Sequence, residues 1–454
     1  MSYNFLPCER DQSYLLPPSI ADWLPEEHLA WFVLEAVGQM DLSAFRGKYR
    51  EDGTGSAAYQ PEMMVALLLY GYCVGERSSR RIERLCETDV AFRVIAANAR
   101  PDHATIARFR SRHREELEGL FVKILRLCGE AGLVKVGVVA VDGTKVKANA
   151  ALAANKTHDG IEAEVKRMLT EAEAKDAEED RLYGSARGDE LPEGLRRRSD
   201  RLKRLRECQE RLEREAAERA AERERKLAER AAKEAESEQK LRGRKPKASD
   251  GKEDEAAKAN VTDPDSRIMK TRSGYVQGYN AQAAVTEGQV ILAAEITQEA
   301  NDAHQLHPVL GKVEENLAAA GVAEKPEVAL VDAGYWNEAN ASGMKPEGPE
   351  LFAATTKDWK QRKAMREQPP PRGRIPRGMG LRERMERKLL TRRGRELYRK
   401  RGMTVEPVFG QVKEVRDCDR FLMRGKSGAS CEWKLICGTH NLLKLWRSGL
   451  ATWN

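Results

Sequence analysis

Two short runs set the terms for any fold of this chain. Val-Val-Ala-Val leads into Asp142, and Val-Ala-Leu-Val leads into Asp332. Each is four consecutive apolar residues next to glycine, the pattern of a strand buried on both faces. An Asp-Gly after a strand is by itself a common turn. Two such carboxylates 190 residues apart cannot share one local turn. They read as rigid mounts that deliver acids to the end of one sheet, where the covering side chains stop.

The periodicity around these runs divides the 454 residues into parts. Residues 1–132 read as an all-α unit. A short amphipathic helix near 25–40 precedes PEMMVALLLYGYC, which has Pro61 at a first helical position and apolar residues nearly all round. Further on, DHATIARFRSRHREELEGLFVKILRLC reads as one helix with Asp102 as its N-cap. Its basic residues Arg108, Arg110 and Arg112 fit either a helix-turn-helix that reads DNA or a plain bundle with a solvated basic face. Residues 133–160 and 259–450 read as an α/β unit. Its order is strand, strand, strand, helix, strand, turn, strand, helix, with a hairpin in GYVQGYNAQAAVTEGQVILAAEITQ. This predicts a mixed sheet with flanking helices, RNase H-like in plan. Residues 161–258 interrupt it. They are rich in Ala, Glu, Arg and Lys, with Leu195, Leu202, Leu205 and Leu212 at heptad-compatible spacing. A coiled-coil-like helical insertion is expected, broken near 183–194 and leaving through a flexible GRKPKASDGKEDE. It fits dimerisation, DNA clamping or a solvated arm equally.

Charge narrows the partners. Residues 356–426 carry 23 Lys and Arg against 9 Asp and Glu, a net +14, whereas the whole chain sums to only +7. A strongly cationic segment on a mildly acidic body attracts a polyanion. Its PPPRGRIPRG stretch reads as a flexible linker, but the segment then runs into apolar helical sequence. Mean hydropathy is −0.65 and no apolar run is long enough to span a bilayer, so no membrane partner is expected. The eight scattered cysteines form no CxxC, which fits a reducing cytoplasm rather than a disulfide scaffold.

A third acid lies in YRKRGMTVEPVFGQVKEVR. Pro407 fits a first helical position, which puts Glu406 at a helix entry and Lys413 two turns along the same face. Three carboxylates suit phosphodiester chemistry. Two Mg²⁺ ions about 3.5–4 Å apart activate the attacking oxygen and stabilise the leaving one. Mg²⁺ takes hard oxygen ligands, and Mn²⁺ suits the same set. Arg401 and Lys413 are then candidates to grip phosphates.

The stretches VDGTKVKA, VTDPDSRIMKTRSGYVQGYNAQAAV, LVDAGYW and YRKRGMTVEPVFGQVK resemble the DDE transposases of bacterial insertion sequences, in particular those with a helical N-terminal domain. The resemblance covers most of the chain outside the insertion. It implies that Asp142, Asp332 and Glu406 are the catalytic, metal-holding triad. It also implies cleavage that frees a 3′-OH, followed by strand transfer into target DNA. Terminal inverted repeats as the recognised ends, a homo-oligomer and a nucleoid-associated location go with it. The family often spaces Tyr, Arg, Glu and Lys by two, three and six residues. Tyr398, Arg401, Glu406 and Lys413 follow that spacing except for four residues between Arg401 and Glu406. The alternative is a DNA-binding protein of the same fold without catalysis.

Other motifs carry less. Asp263, Asp265 and Arg267 fit a structural turn or a DNA contact. Tyr335 and Trp336 fit core packing or base stacking. His304 and His307 lack a third zinc ligand. Cys431, Cys437 and His440 read as core. Gly425–Ser427 is no phosphate loop, because Arg420 stands where the first glycine belongs, so no nucleotide cofactor is expected.

Overall fold

The computed structural model describes residues 19–49, 57–168, 170, 193–237, 256–271, 273–376 and 378–451. Helices α1 (Leu29–Gly38), α2 (Ser43–Arg46), α3 (Pro61–Cys73), α4 (Ser79–Thr88), α5 (Val90–Ile95), α6 (His103–Arg112) and α7 (Arg114–Glu130) come first. Pro61 opens α3, whose residues from Met64 to Cys73 are all buried. Asp102 caps α6 by accepting from Thr105 N at 2.7 Å. The single helix expected over 102–128 is two, broken at His113. That residue leaves helical geometry and buries its ring against Phe45, Tyr49 and Phe109.

The sheet is mixed, as the sequence indicated. Its strands are β1 (Val138–Lys147), β4 (Arg267–Thr271), β5 (Gly274–Thr286), β6 (Ile291–Thr297), β7 (Val328–Val331) and β8 (Glu350–Ala353). Strand β1 is central. Antiparallel β5 lies on one side, flanked in turn by β4 and β6, and parallel β7 then β8 lie on the other. The hairpin expected over 274–298 is β5–β6. Strand β7 is buried at every residue.

Helix α10 (Leu306–Ala319) packs on β6 and β5. The chain then passes α11 (Glu338–Ser342), α12 (Trp359–Glu367), α13 (Leu381–Leu390), α14 (Arg392–Gly410) with one wide turn at Gln411–Val415, and α15 (Gly425–Ser448). Helix α15 joins the two halves: it packs on α3 and α7 as well as on β6. Asn441 copies a strand edge, pairing both N and O of Ile291 at 2.8 Å. The buried pair Arg77–Glu432, 2.7 Å, ties the α3–α4 loop to α15. One hydrophobic core therefore runs from the first helices through the sheet to α15 and takes in Cys431, Cys437 and His440. All seven cysteines among the described residues are free and buried. Among those residues no helix is long and apolar enough to cross a membrane.

The insertion starts and ends on a two-stranded ribbon, β2 (Asn155–Thr157) with β3 (Lys258–Asn260). Helix α8 (158–168) and the 45-residue α9 (Glu193–Ser237) follow β2. Leu205, Cys208 and Leu212 pack with Ile161 and Ala259 in a small second core. The expected break at 183–194 lies outside the described residues except for its last two, which are already in α9; the exit 243–255 lies outside them. Arg267 joins the arm to the sheet through Glu215 of α9, 2.7 Å. Buried Asp263 accepts from Tyr279 Oη at 2.8 Å, and Asp265 accepts from Lys426 N at 2.9 Å. These three residues are a clasp between arm, sheet and α15. The linker expected at 369–378 is also held: Arg387 donates to the carbonyls of Arg372 and Gly373, and Arg395 to that of Gln368.

Candidate active site

The parallel ladder of β1 and β7 ends at the pair Val141–Val331. Asp332 is the first residue after β7, but Asp142 is not the strand end that the sequence suggested. Strand β1 runs on to Lys147, still paired with β5, so Asp142 lies mid-strand where its β7 neighbour stops, and the two acids follow adjacent ladder positions. Each is fixed by the backbone just after it. Gly143 N donates to Asp142 Oδ1 at 2.9 Å, and Gly334 N to Asp332 Oδ1 at 2.7 Å. Burial pushes the Asp142 carboxyl up to about 7; Arg401 opposes the rise and Asp332 adds to it.

Glu406 reaches the pair through Arg401. The guanidinium lies 2.6 Å from Asp142 Oδ2 and 3.4 Å from Glu406 Oε1. Burial works against the Arg401 charge, but Asp142, Tyr398, Asp332 and Glu406 together outweigh it and hold the group above its ordinary value. Among the described residues no three acid, His or Cys side chains converge as they stand on one ion. The pair Asp142–Asp332 is assembled, whereas the Glu406 side chain is 64% exposed and turned toward Arg401.

Pro407 is not a helix start. It lies inside α14, three residues before its end. A proline there leaves the carbonyl four residues back without its usual donor. Here that carbonyl is Met403 O, and Gln289 Nε2 from the β5–β6 turn takes it at 3.3 Å. Glu406 is therefore mounted mid-helix, one turn before a wide turn of the kind often found at functional sites.

The other candidates divide. Tyr398 Oη donates to Val331 O at 3.1 Å and so steadies the strand end that carries Asp332. Lys413 Nζ donates to Thr144 Oγ1 at 2.8 Å and Lys145 O at 2.7 Å, clamping the wide turn onto β1. Both hold the sheet rather than facing out toward a phosphate. Arg108 and Arg112 are exposed on α6, Arg112 over the Tyr49 ring. Arg110 is a correction: it is buried, donates to Arg77 O and lies over Tyr72, which leaves it nothing to offer DNA. Tyr335 is buried as well and donates to Gln282, so it cannot stack on a base.

Sequence reading missed the far side of the pair. Asn280 and Gln282, alternate residues of buried β5, both donate to Asp302 Oδ1 at 2.8 Å. Lys145 Nζ stands 3.8 Å from the same oxygen. Two amides at i and i+2 in a buried strand were the available signal; nothing in EANDAHQL marks Asp302. Beside Glu406 opens a cleft lined by Thr355, Arg362, Arg392, Arg399 and Arg401.

Two family models match the sequence. The one described as "Transposase domain (DUF772)" covers residues 18–112, spanning α1 to α6. The one described as "Transposase DDE domain" covers 374–446, including Glu406 and most of α15. No curated protein and no solved structure gives a match. Both matches are to transposase domains, and together they support a DDE transposase of an insertion sequence.

Proposed function

We propose that this chain binds the terminal inverted repeats of its element and cuts and joins double-stranded DNA at Asp142, Asp332 and Glu406. The observation that carries the reading is the placement of Asp142 and Asp332 directly after the last pair of one parallel ladder, with Glu406 tied to Asp142 by Arg401. Strand order β6-β5-β1-β7-β8, antiparallel on one side of β1 and parallel on the other, supports an RNase H-like catalytic unit over 133–160 and 259–450. Helices of 1–132 supply the end-binding part, and the arm of 161–258 extends the contact surface or pairs two copies of a homo-oligomer.

The donor set fits Mg²⁺ or Mn²⁺: hard carboxylate oxygens, one of them on a buried acid whose charge burial disfavours, so that a cation relieves it. Asp142, Asp332 and Glu406 would hold two ions, which supply the activated water and leaving-group stabilisation of phosphodiester cleavage. The chain's own residues do the positioning. Tyr398 and Lys413 fix the two strands, Gly143 and Gly334 fix the carboxylates, and Arg401 holds Glu406 near the pair. Arg362, Arg392 and Arg399 line the cleft through which a DNA backbone reaches these acids. A DNA substrate places the work in the cytoplasm, at the nucleoid.

The test is incubation with DNA carrying the element's own ends, with and without Mg²⁺. Mg²⁺-dependent nicking at those ends is expected. Binding without cleavage would leave a DNA-binding protein of this fold.

A further inference from the structure

A fourth carboxylate stands behind the acid pair, and the molecule is built around it. Asp302 lies in the segment between β6 and α10, far in sequence from both acids. Successive residues of a strand point to opposite faces. Gly143 therefore lies on the face of β1 opposite to Asp142, and its missing side chain opens that face. A Cβ there would lie 2.5 Å from Asp302 Oδ1 and 2.9 Å from Asn280 Oδ1. A Cβ on Gly334 would lie 2.9 Å from Asp332 Oδ1 and 3.3 Å from Asp302 Oδ2. So Asp302 approaches β1 on the Gly143 face, and its Oδ2 and Asp332 Oδ1 both border the space at Gly334.

The scaffold holding Asp302 is specific. Oδ1 takes both amide donors, and Asn280 and Gln282 are fully buried. Gln282 donates to Asn280 Oδ1 at 3.1 Å and accepts from Tyr335 Oη, which pins the amide's orientation. Oδ2 accepts no hydrogen bond from the described residues. Lys145 Nζ lies 3.8 Å from Oδ1, too far for a hydrogen bond. Two buried amides thus fix one carboxylate whose second oxygen borders the Gly334 space beside Asp332.

We propose that Asp302 is a positioning residue for the metal-holding pair, a fixed negative charge that strengthens cation binding at Asp142 and Asp332. This rests on the reading of that pair given above. Partners behind direct metal ligands commonly set affinity by about 10–100-fold.

The test is Mn²⁺ affinity of the full chain without DNA, read from the free-ion electron paramagnetic resonance signal. Asp302→Asn keeps an acceptor for the two amides and removes the charge. It should weaken Mn²⁺ binding about 10-fold or more, with an unchanged thermal melt, and Asp302→Glu should recover part of the loss. Parental affinity in a folded Asp302→Asn chain overturns the proposal. Should that variant not fold, Lys145→Met decides. With the cation beside it gone, the Asp302 charge acts undiluted and Mn²⁺ should bind several-fold tighter; unchanged affinity overturns the proposal. Asp142→Asn and Asp332→Asn separate the two readings. If they abolish uptake while Asp302→Asn keeps the parental affinity, only the role of Asp302 falls. If the parent takes up no Mn²⁺, the metal-holding pair falls too.

Discussion

Arg401 is shared: its guanidinium stands 2.6 Å from Asp142 Oδ2 and 3.4 Å from Glu406 Oε1. One protein cation thus occupies the side of Asp142 from which Glu406 must approach. Arg401→Gln leaves a buried carboxylate without its partner, and breaking such a pair costs about 3 kcal/mol. If a divalent ion binds the same oxygens, Mg²⁺ should restore most of that loss. Urea unfolding of the variant with and without Mg²⁺ measures it. A deficit that Mg²⁺ leaves unchanged would show that no ion binds beside Asp142.

Each of the three acids should be needed for cleavage and dispensable for binding. Asp142→Asn, Asp332→Asn and Glu406→Gln keep shape and remove charge. Single-turnover cleavage should fall by at least about 10²–10³-fold, the scale for removing one preorganised electrostatic interaction from a transition state. Affinity for the element's ends, measured by gel shift, should stay within about threefold, which is under 1 kcal/mol. Parallel loss of binding in all three would mark these acids as structural.

How much of this was legible from residues alone differs from place to place. Val-Val-Ala-Val and Val-Ala-Leu-Val are buried strand segments that local pattern suffices to read, but the end expected at Asp142 was not legible, because β5 pairing carries β1 on to Lys147. The β5–β6 hairpin, the Asp102 cap and the buried α3 were equally local. Glu406 was legible as a candidate, but its mounting was not. A proline reads as a helix start, but α14 runs through Pro407, and the distant Gln289 amide takes the freed Met403 O. Arg110 looks like its neighbours Arg108 and Arg112; a tertiary contact with Tyr72 and Arg77 sets it apart. Asp302 was invisible, because its importance comes from two amides on another strand and from the space at Gly143.

That space gives a direct test of the packing behind the pair. Gly143→Ala would press a methyl group against Gln282 Nε2 and Asp302 Oδ1. Overpacking of this kind costs about 1–3 kcal/mol. Tm should drop accordingly, and cleavage should fall further than the folded fraction explains, since Gly143 N also orients Asp142. Gly38→Ala, with nothing within 4 Å of the added carbon, is the control and should change little. Equal behaviour of the two variants would mean that Asp302 does not pack against Gly143.

The cationic segment is not uniform, and salt dependence should expose the difference. Arg392 and Arg399 are exposed beside the cleft, and Arg362 lines it. Arg393 is paired with Glu350 at 2.5 Å and lies over Phe352. Replacing Arg362, Arg392 and Arg399 by Gln should flatten the plot of log affinity against log salt by up to about 3, near 0.9 for each phosphate no longer neutralised. Arg393→Gln should leave the slope alone and lower Tm instead. An unaltered slope in the triple variant would exclude the cleft as the path of the DNA backbone.

Proton release follows from the burial of Asp142. Its carboxyl stands at about 7 in the metal-free chain, held up by burial and by Asp332 and Asp302, and held down by Arg401 and the Gly143 N–H. Between pH 4 and 7 the folded chain thus keeps a proton that the unfolded chain, near the ordinary 3.8, has lost. More protons on the folded state mean that this group's contribution to stability falls as pH rises through that window. A divalent ion must displace the proton, so Mn²⁺ uptake should release most of a proton per Asp142 at pH 6 and much less at pH 8. Calorimetric titration in two buffers of different ionisation enthalpy counts the protons, and Asp142→Asn should release none. A count that does not change between pH 6 and 8 would place the ion away from Asp142.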